Sequence, residues 1–115
     1  MNAPKQYIEL TDIIREMRET RQRLNNASKE IFKLATAKAK AERDYKVALR
    51  QEILKLKSEG YAATLINDLA KGEETIAQLR LERDIAKEVY MSGLESMKQT
   101  RTEASLLQTI SKYQD

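Results

Sequence analysis

The stretch from Ser58 to Thr75, SEGYAATLINDLAKGEET, decides the fold. It holds Gly60 and Gly72, two of the three glycines in the chain, between two long runs of charged helix formers. Gly60 can adopt the left-handed conformation that closes a helix, so the chain before it is predicted to end a helix there. Thr64 stands where it can cap a short helix, and Gly72 where it can terminate one. Leu65, Ile66 and Leu69 share one side of that segment. The expected arrangement is a short helical plug laid across the end of an antiparallel helix pair, as connections close helical bundles. Its polar side would present Asn67, Asp68 and Lys71, with Tyr61 at the edge, and these four are the candidate partner-binding residues.

Upstream of the plug, apolar or small residues return at spacings of three and four: Leu10, Ile13, Met17, Leu24, Ala27, Ile31, Leu34, Ala41, Tyr45, Leu49 and Leu56. That is the signature of a helix with one buried stripe. Thr11 can cap its start and Asp12 suits the positive end of the helix dipole, although Asn2 and Pro4 allow an earlier beginning. Lys55 and Lys57 suit its last turn.

Downstream, Ile76, Leu79, Arg83, Ala86, Tyr90, Gly93, Met97, Thr100, Ala104 and Leu107 keep the same stepping. Glu73 and Glu74 belong to the first turn of this second helix. Arg83, Gly93 and Thr100 interrupt the heptad pattern, so it is a poor two-stranded zipper. Leu81, Ile85, Val89, Leu94, Leu106 and Ile110 lie off the seam and widen the apolar face, the pattern of a helix with more than one neighbour. The expected fold is therefore all-α. Two long antiparallel helices form a helical hairpin joined by a short helix, and copies assemble into a coiled-coil-like bundle. The predicted limits are residues 11–58, 59–72 and 73–113 within a single domain, with residues 1–10 unassigned.

Composition agrees. Three glycines and one proline in 115 residues supply little turn chemistry for a sheet. Ala, Leu, Lys, Glu, Gln, Arg and Met fill most of the length, and these residues lose least on entering a helix. Cysteine and histidine are both absent. That removes disulfides, thiolate metal sites and the commonest general base and transition-metal ligand. Carboxylates alone could hold magnesium, but most acidic residues have basic neighbours at helical spacing, which favours a salt-bridged surface. The expectation is no enzyme, no cofactor and no metal. No run of about 18 apolar residues could span a bilayer, and the charged first thirty residues contain no signal-peptide core. The expected location is a cytoplasm.

Charge is unevenly divided. Residues 28–57 carry nine Lys or Arg against four Asp or Glu, a balance of +5, and residues 58–115 carry seven against ten, a balance of −3. Attraction between the two helices of one hairpin is one use of that asymmetry, although exposed pairs contribute only about 0–1 kcal/mol each. The other use is an outer face of Lys29, Lys33, Lys40, Arg43, Lys46, Arg50 and Lys57, which could follow a phosphate backbone. A net charge of only +3, acidic residues nearby and the lack of stacking aromatics along that face other than Phe32 argue against that use. The triplet Glu-Arg-Asp occurs at 42–44 and at 82–84, its arginines equidistant from residue 63. Folding at the connection would bring the triplets near one another with an offset of about five residues. A loose cross-helix network, or else a partner chain, should then satisfy Arg83.

The run Ala41-Glu42-Arg43-Asp44-Tyr45, the connection from Glu59-Gly60-Tyr61 through Thr64-Leu65-Ile66, Asp68, Ala70 and Gly72, and Leu79-Arg80, Glu82-Arg83-Asp84 and Tyr90 resemble a known group. These are small helical proteins encoded in the early regions of bacteriophages and prophages of Gram-positive bacteria. The resemblance covers roughly residues 41–104. It implies a setting in DNA metabolism or host interaction within the bacterial cytoplasm, and brings no catalytic residue with it. The functional expectation is a non-catalytic interaction protein that self-associates and binds a protein partner in phage recombination, replication or host takeover. The competing expectation is a weak, sequence-independent nucleic-acid binder.

Overall fold

The computed structural model describes residues 9–114 and is all-α. Two long helices, α1 (Leu10–Ser58) and α3 (Glu74–Gln114), are joined by the short α2 (Ala63–Gly72). Among the described residues no helix is long and apolar enough to cross a membrane. Asn2 and Pro4, which allowed an earlier start, lie outside the described residues.

The ends of the helices show which local signals operate. α1 opens on the carbonyl of Glu9, which accepts from the amides of Asp12 at 3.1 Å and Ile13 at 3.2 Å. Thr11 therefore lies inside the first turn and is not the cap. Asp12 does sit in that turn, where its carboxylate also accepts from Arg15 at 2.8 Å. At the far end Gly60 takes φ +85°, the Gly60 amide donates to Lys57 O at 3.1 Å, and the Tyr61 amide reaches back to Leu56 O at 3.3 Å. These paired bonds are a Schellman closure, and only a residue without Cβ occupies its left-handed position cheaply.

Two expectations about α2 are corrected. The helix begins at Ala63, one residue before Thr64, and its cap position is Ala62, with no side-chain cap bond. Thr64 is thus inside the helix. Gly72 is its last residue but has no left-handed φ; the chain leaves the helix because Glu73 is extended, with φ −65° and ψ 137°. Glu73 does two jobs. Its amide donates to Ala70 O at 3.3 Å, while its carboxylate accepts from the Ile76 amide at 3.0 Å. One residue therefore closes α2 and caps α3, with a negative charge at the positive end of the α3 dipole.

The chain divides into two compact units, Phe32–Met91 and the pair of segments Met1–Ile31 and Ser92–Asp115. In the first, Ile66 and Ala70 of α2 pack with Leu56 of α1, and Leu49 and Ile53 cover them. This core joins two elements, α1 and α2. It corrects the expected plug face: Ala70 is 0% exposed and Ile66 is buried, whereas Leu65 is 54% exposed and Leu69 is also exposed. Ile66 and Ala70 are four residues apart, one helical turn, and so face the same way. Tyr45 and Ile76 complete the buried set of this unit. In the other unit, the buried side chains are Ile13 and Thr20.

Candidate interaction surfaces

Within the Phe32–Met91 unit α1 and α3 run antiparallel, as their cross-helix contacts show. Lys38 Nζ lies 6.0 Å from the Tyr90 ring centre, and the Arg83 guanidinium carbon lies 4.5 Å from the centre of Tyr45. The seam of α3 is the one read from the spacing. Ile76 is buried, and Leu79, Arg83, Ala86 and Tyr90 are half-buried.

The seam of α1 needs three additions, Thr20, Lys38 and Ile53. All three fill vacancies in the stepping, between Met17 and Leu24, between Leu34 and Ala41 and between Leu49 and Leu56; at Thr20 and Lys38 the spacing held a signal that polarity obscured. Leu10, assigned to the stripe, is exposed. A lysine is accommodated at position 38 because its stem can lie along apolar surface while its ammonium meets a ring face.

Arg83 is satisfied within the chain. Its Nη2 and Nε donate to the same Asp84 oxygen at 2.9 and 3.0 Å, and its guanidinium lies over Tyr45. Arg43 makes the equivalent pair with Asp44, at 3.0 and 3.2 Å. Each Glu-Arg-Asp triplet therefore closes on its own helix, and no ion pair joins the two triplets among the described residues. The expected cross-helix network is replaced by a cation-aromatic contact. Arg83 faces Tyr45, only two residues along from Arg43, so the offset of about five residues is also corrected. Lys38, Glu42, Arg83, Asp84 and Lys87 line a shallow, mixed-charge cleft here.

The outer surfaces of this unit carry the candidate residues. Tyr61, Asn67, Asp68 and Lys71 are all exposed along the connection and α2. Lys33, Lys40, Arg43, Lys46, Arg50 and Lys57 are exposed on α1, on the side away from the seam. Arg43 and Lys46 are also held by Asp44 at 3.0 Å and Glu42 at 3.4 Å, at the edges of the face. Interleaved with these cations are three exposed apolar side chains, Phe32, Val47 and Leu54. On α3, Leu81, Ile85 and Val89 are exposed and recur every fourth residue, again on the side away from the seam.

In the second unit, α1 and α3 segments are bridged by Arg23 and Glu103 at 2.9 Å and by a Ser28 hydroxyl directed at Met97 Sδ at 3.9 Å. Arg23 also donates to the buried Thr20 hydroxyl at 3.1 Å. Gly93 is half-buried on this part of the α3 seam, and Lys29 is exposed on α1.

Comparison with family models, with curated proteins and with solved structures gives no match. The surfaces themselves therefore carry the functional reading.

Proposed function

We propose that this chain is a non-catalytic helical interaction protein that self-associates and binds a protein partner. The observation that carries the reading is the exposed Leu81, Ile85 and Val89 face of α3. A helix that buries one stripe in its own seam and shows a second to solvent has surface suited to another helix. The exposed polar side of α2, with Tyr61, Asn67, Asp68 and Lys71, is the proposed partner-binding tip. A bacterial cytoplasmic setting in phage recombination, replication or host takeover rests on the sequence resemblance alone.

Sedimentation equilibrium tests self-association: oligomers at tens of micromolar are expected, and a pure monomer would refute it. For the tip, Tyr61→Ala and Asp68→Ala should leave helicity intact and reduce capture of the protein partner. Full retention of capture would move recognition away from the tip.

A second reading has its own observation. The outer face of α1 carries six cations between residues 32 and 58. A sequence-independent nucleic-acid binder would use that face together with Lys29, and oligonucleotide affinity would then fall steeply with salt.

A further inference from the structure

The outer faces of the Phe32–Met91 unit form a complementary pair. At roughly 100° per residue, Lys33, Lys40, Arg43, Lys46, Arg50 and Lys57 fall on one side of α1 with Val47 and Leu54 between them, and no Asp or Glu falls in that sector. Glu42, Asp44 and Glu52 project toward its flanks or the seam. The corresponding side of α3 has the opposite character. Glu74, Glu82 and Glu88 surround Leu81, Ile85 and Val89 there, and the cations of that stretch, Arg80, Arg83 and Lys87, lie elsewhere around the helix. None of these three glutamates makes an ion pair among the described residues, and neither do Lys33, Lys40, Arg50 or Lys57. Val47 and Leu54 are 52% and 53% exposed, which matches the 52% and 53% of Leu81 and Ile85.

We infer that the outer face of α1 in one molecule takes the outer face of α3 in a second copy. This deepens the proposed self-association by naming its two surfaces. Apolar side chains would meet at the centre and opposite charges at the rim, the layout that gives an interface orientation as well as attraction. A nucleic acid fits the α1 face less well, because a phosphate backbone offers nothing to Val47 and Leu54.

The geometry also dictates the kind of assembly. Within the unit α1 and α3 meet through their seams, at Tyr45 with Arg83 and Lys38 with Tyr90, so their outer faces point in opposite directions. One neighbour cannot cover both. The contact is heterologous, and copies add head to tail into a ring or an open row, unlike the closed two-fold pair of an isologous dimer.

Two face-blocked variants test this. Val47→Glu/Leu54→Glu blocks the α1 face, and Ile85→Glu/Val89→Glu blocks the α3 face; all four sites are exposed, so helicity by circular dichroism should be unchanged. In sedimentation velocity at tens of micromolar, wild-type protein should form species beyond the dimer. Each variant alone should be monomeric. Their equimolar mixture should form a dimer and stop, because each supplies the one good face that the other lacks, with affinity at least tenfold above either variant alone. Self-association of the α1-blocked variant, or failure of the mixture to pair, overturns the inference. In that event persistent wild-type oligomers would leave the broader interaction reading standing, whereas a monomeric wild type would remove self-association as well. If wild type stays monomeric and binds a labelled single-stranded oligonucleotide, and Val47→Glu/Leu54→Glu abolishes that binding, the occupant of the α1 face is nucleic acid.

Discussion

Around Leu56, α2 packs on α1, and Ile66 and Ala70 are sealed against it. In the unit containing Ile13 only α1 and α3 segments meet, most seam residues stay half-exposed, and the hydroxyl of Thr20 is among the fully buried groups. The difference teaches what a third element adds. Two helices share a line of contact and leave both flanks wet; a short helix laid on one of them covers part of its surface and makes a small core there. Away from that cover the seam tolerates polar residues, Lys38 and Arg83 in the Phe32–Met91 unit and Thr20 in the unit containing Ile13. Thr20 is served there by Arg23, whose own partner is Glu103.

The comparison breaks most sharply at α2. Ile66→Asp should lower stability by roughly 3–5 kcal/mol, since it leaves an unpaired charge in an apolar contact. Leu65→Asp, one residue away and half-exposed, should change it by no more than about 0.5 kcal/mol. Thermal or urea unfolding followed by circular dichroism reads both. Similar losses for the two variants would mean that α2 does not present a single buried face.

A smaller effect of opposite signs is expected at Gly60, before α2, and at Gly72, its last residue. Gly60→Ala forces a Cβ into the left-handed region and should cost roughly 1–2 kcal/mol. Gly72→Ala meets nothing within 4 Å of its new Cβ and has no left-handed φ. It should stabilise by about 0.4–1 kcal/mol, mainly by restricting the unfolded chain. Urea midpoints that move in the same direction for both would show that the closure after α1 does not depend on Gly60.

The smallest effect belongs to the two-helix unit. Arg23 and Glu103 are more than half exposed. Glu103→Gln should therefore shift stability by less than about 0.5 kcal/mol, and the shift should fade in high salt as screening grows. A loss above about 1 kcal/mol that persists in high salt would mark the bridge as a main support of that unit.

Much of this fold is legible residue by residue. The stepping from Ile76 to Leu107 needs no correction, because a coiled seam repeats and one helix face can be counted without knowing its partner. Gly60 is legible for a different reason: a left-handed closure has few chemical solutions. Thr11 and Thr64 mislead, since an available hydroxyl becomes a cap only if the backbone turns at that residue, and here it turns two residues earlier, at Glu9 and at Ala62. Glu73 was readable as an acidic residue near a helix start, but its double use depends on an extended backbone that composition does not signal. For the candidate surfaces, charge counts already separate a basic stretch at residues 28–57 from an acidic one at residues 58–115. The exposed apolar residues among those charges become a surface only once the seam has claimed the opposite side.

The sequence by itself determined the helices, the place where the chain stops and reverses, and the side of each long helix turned inward. Those properties come from local propensity and from a periodicity that repeats over many turns. Only the tertiary structure decided which side of α2 is buried, since Leu65, Ile66, Leu69 and Ala70 offer two overlapping apolar faces in ten residues. The position of α2 against Leu56, Leu49 and Ile53 selects between them. It also decided the partner of Arg83. A guanidinium can be met by a carboxylate or by a ring, and the antiparallel register placed Tyr45 opposite it while Asp84 held it from its own helix.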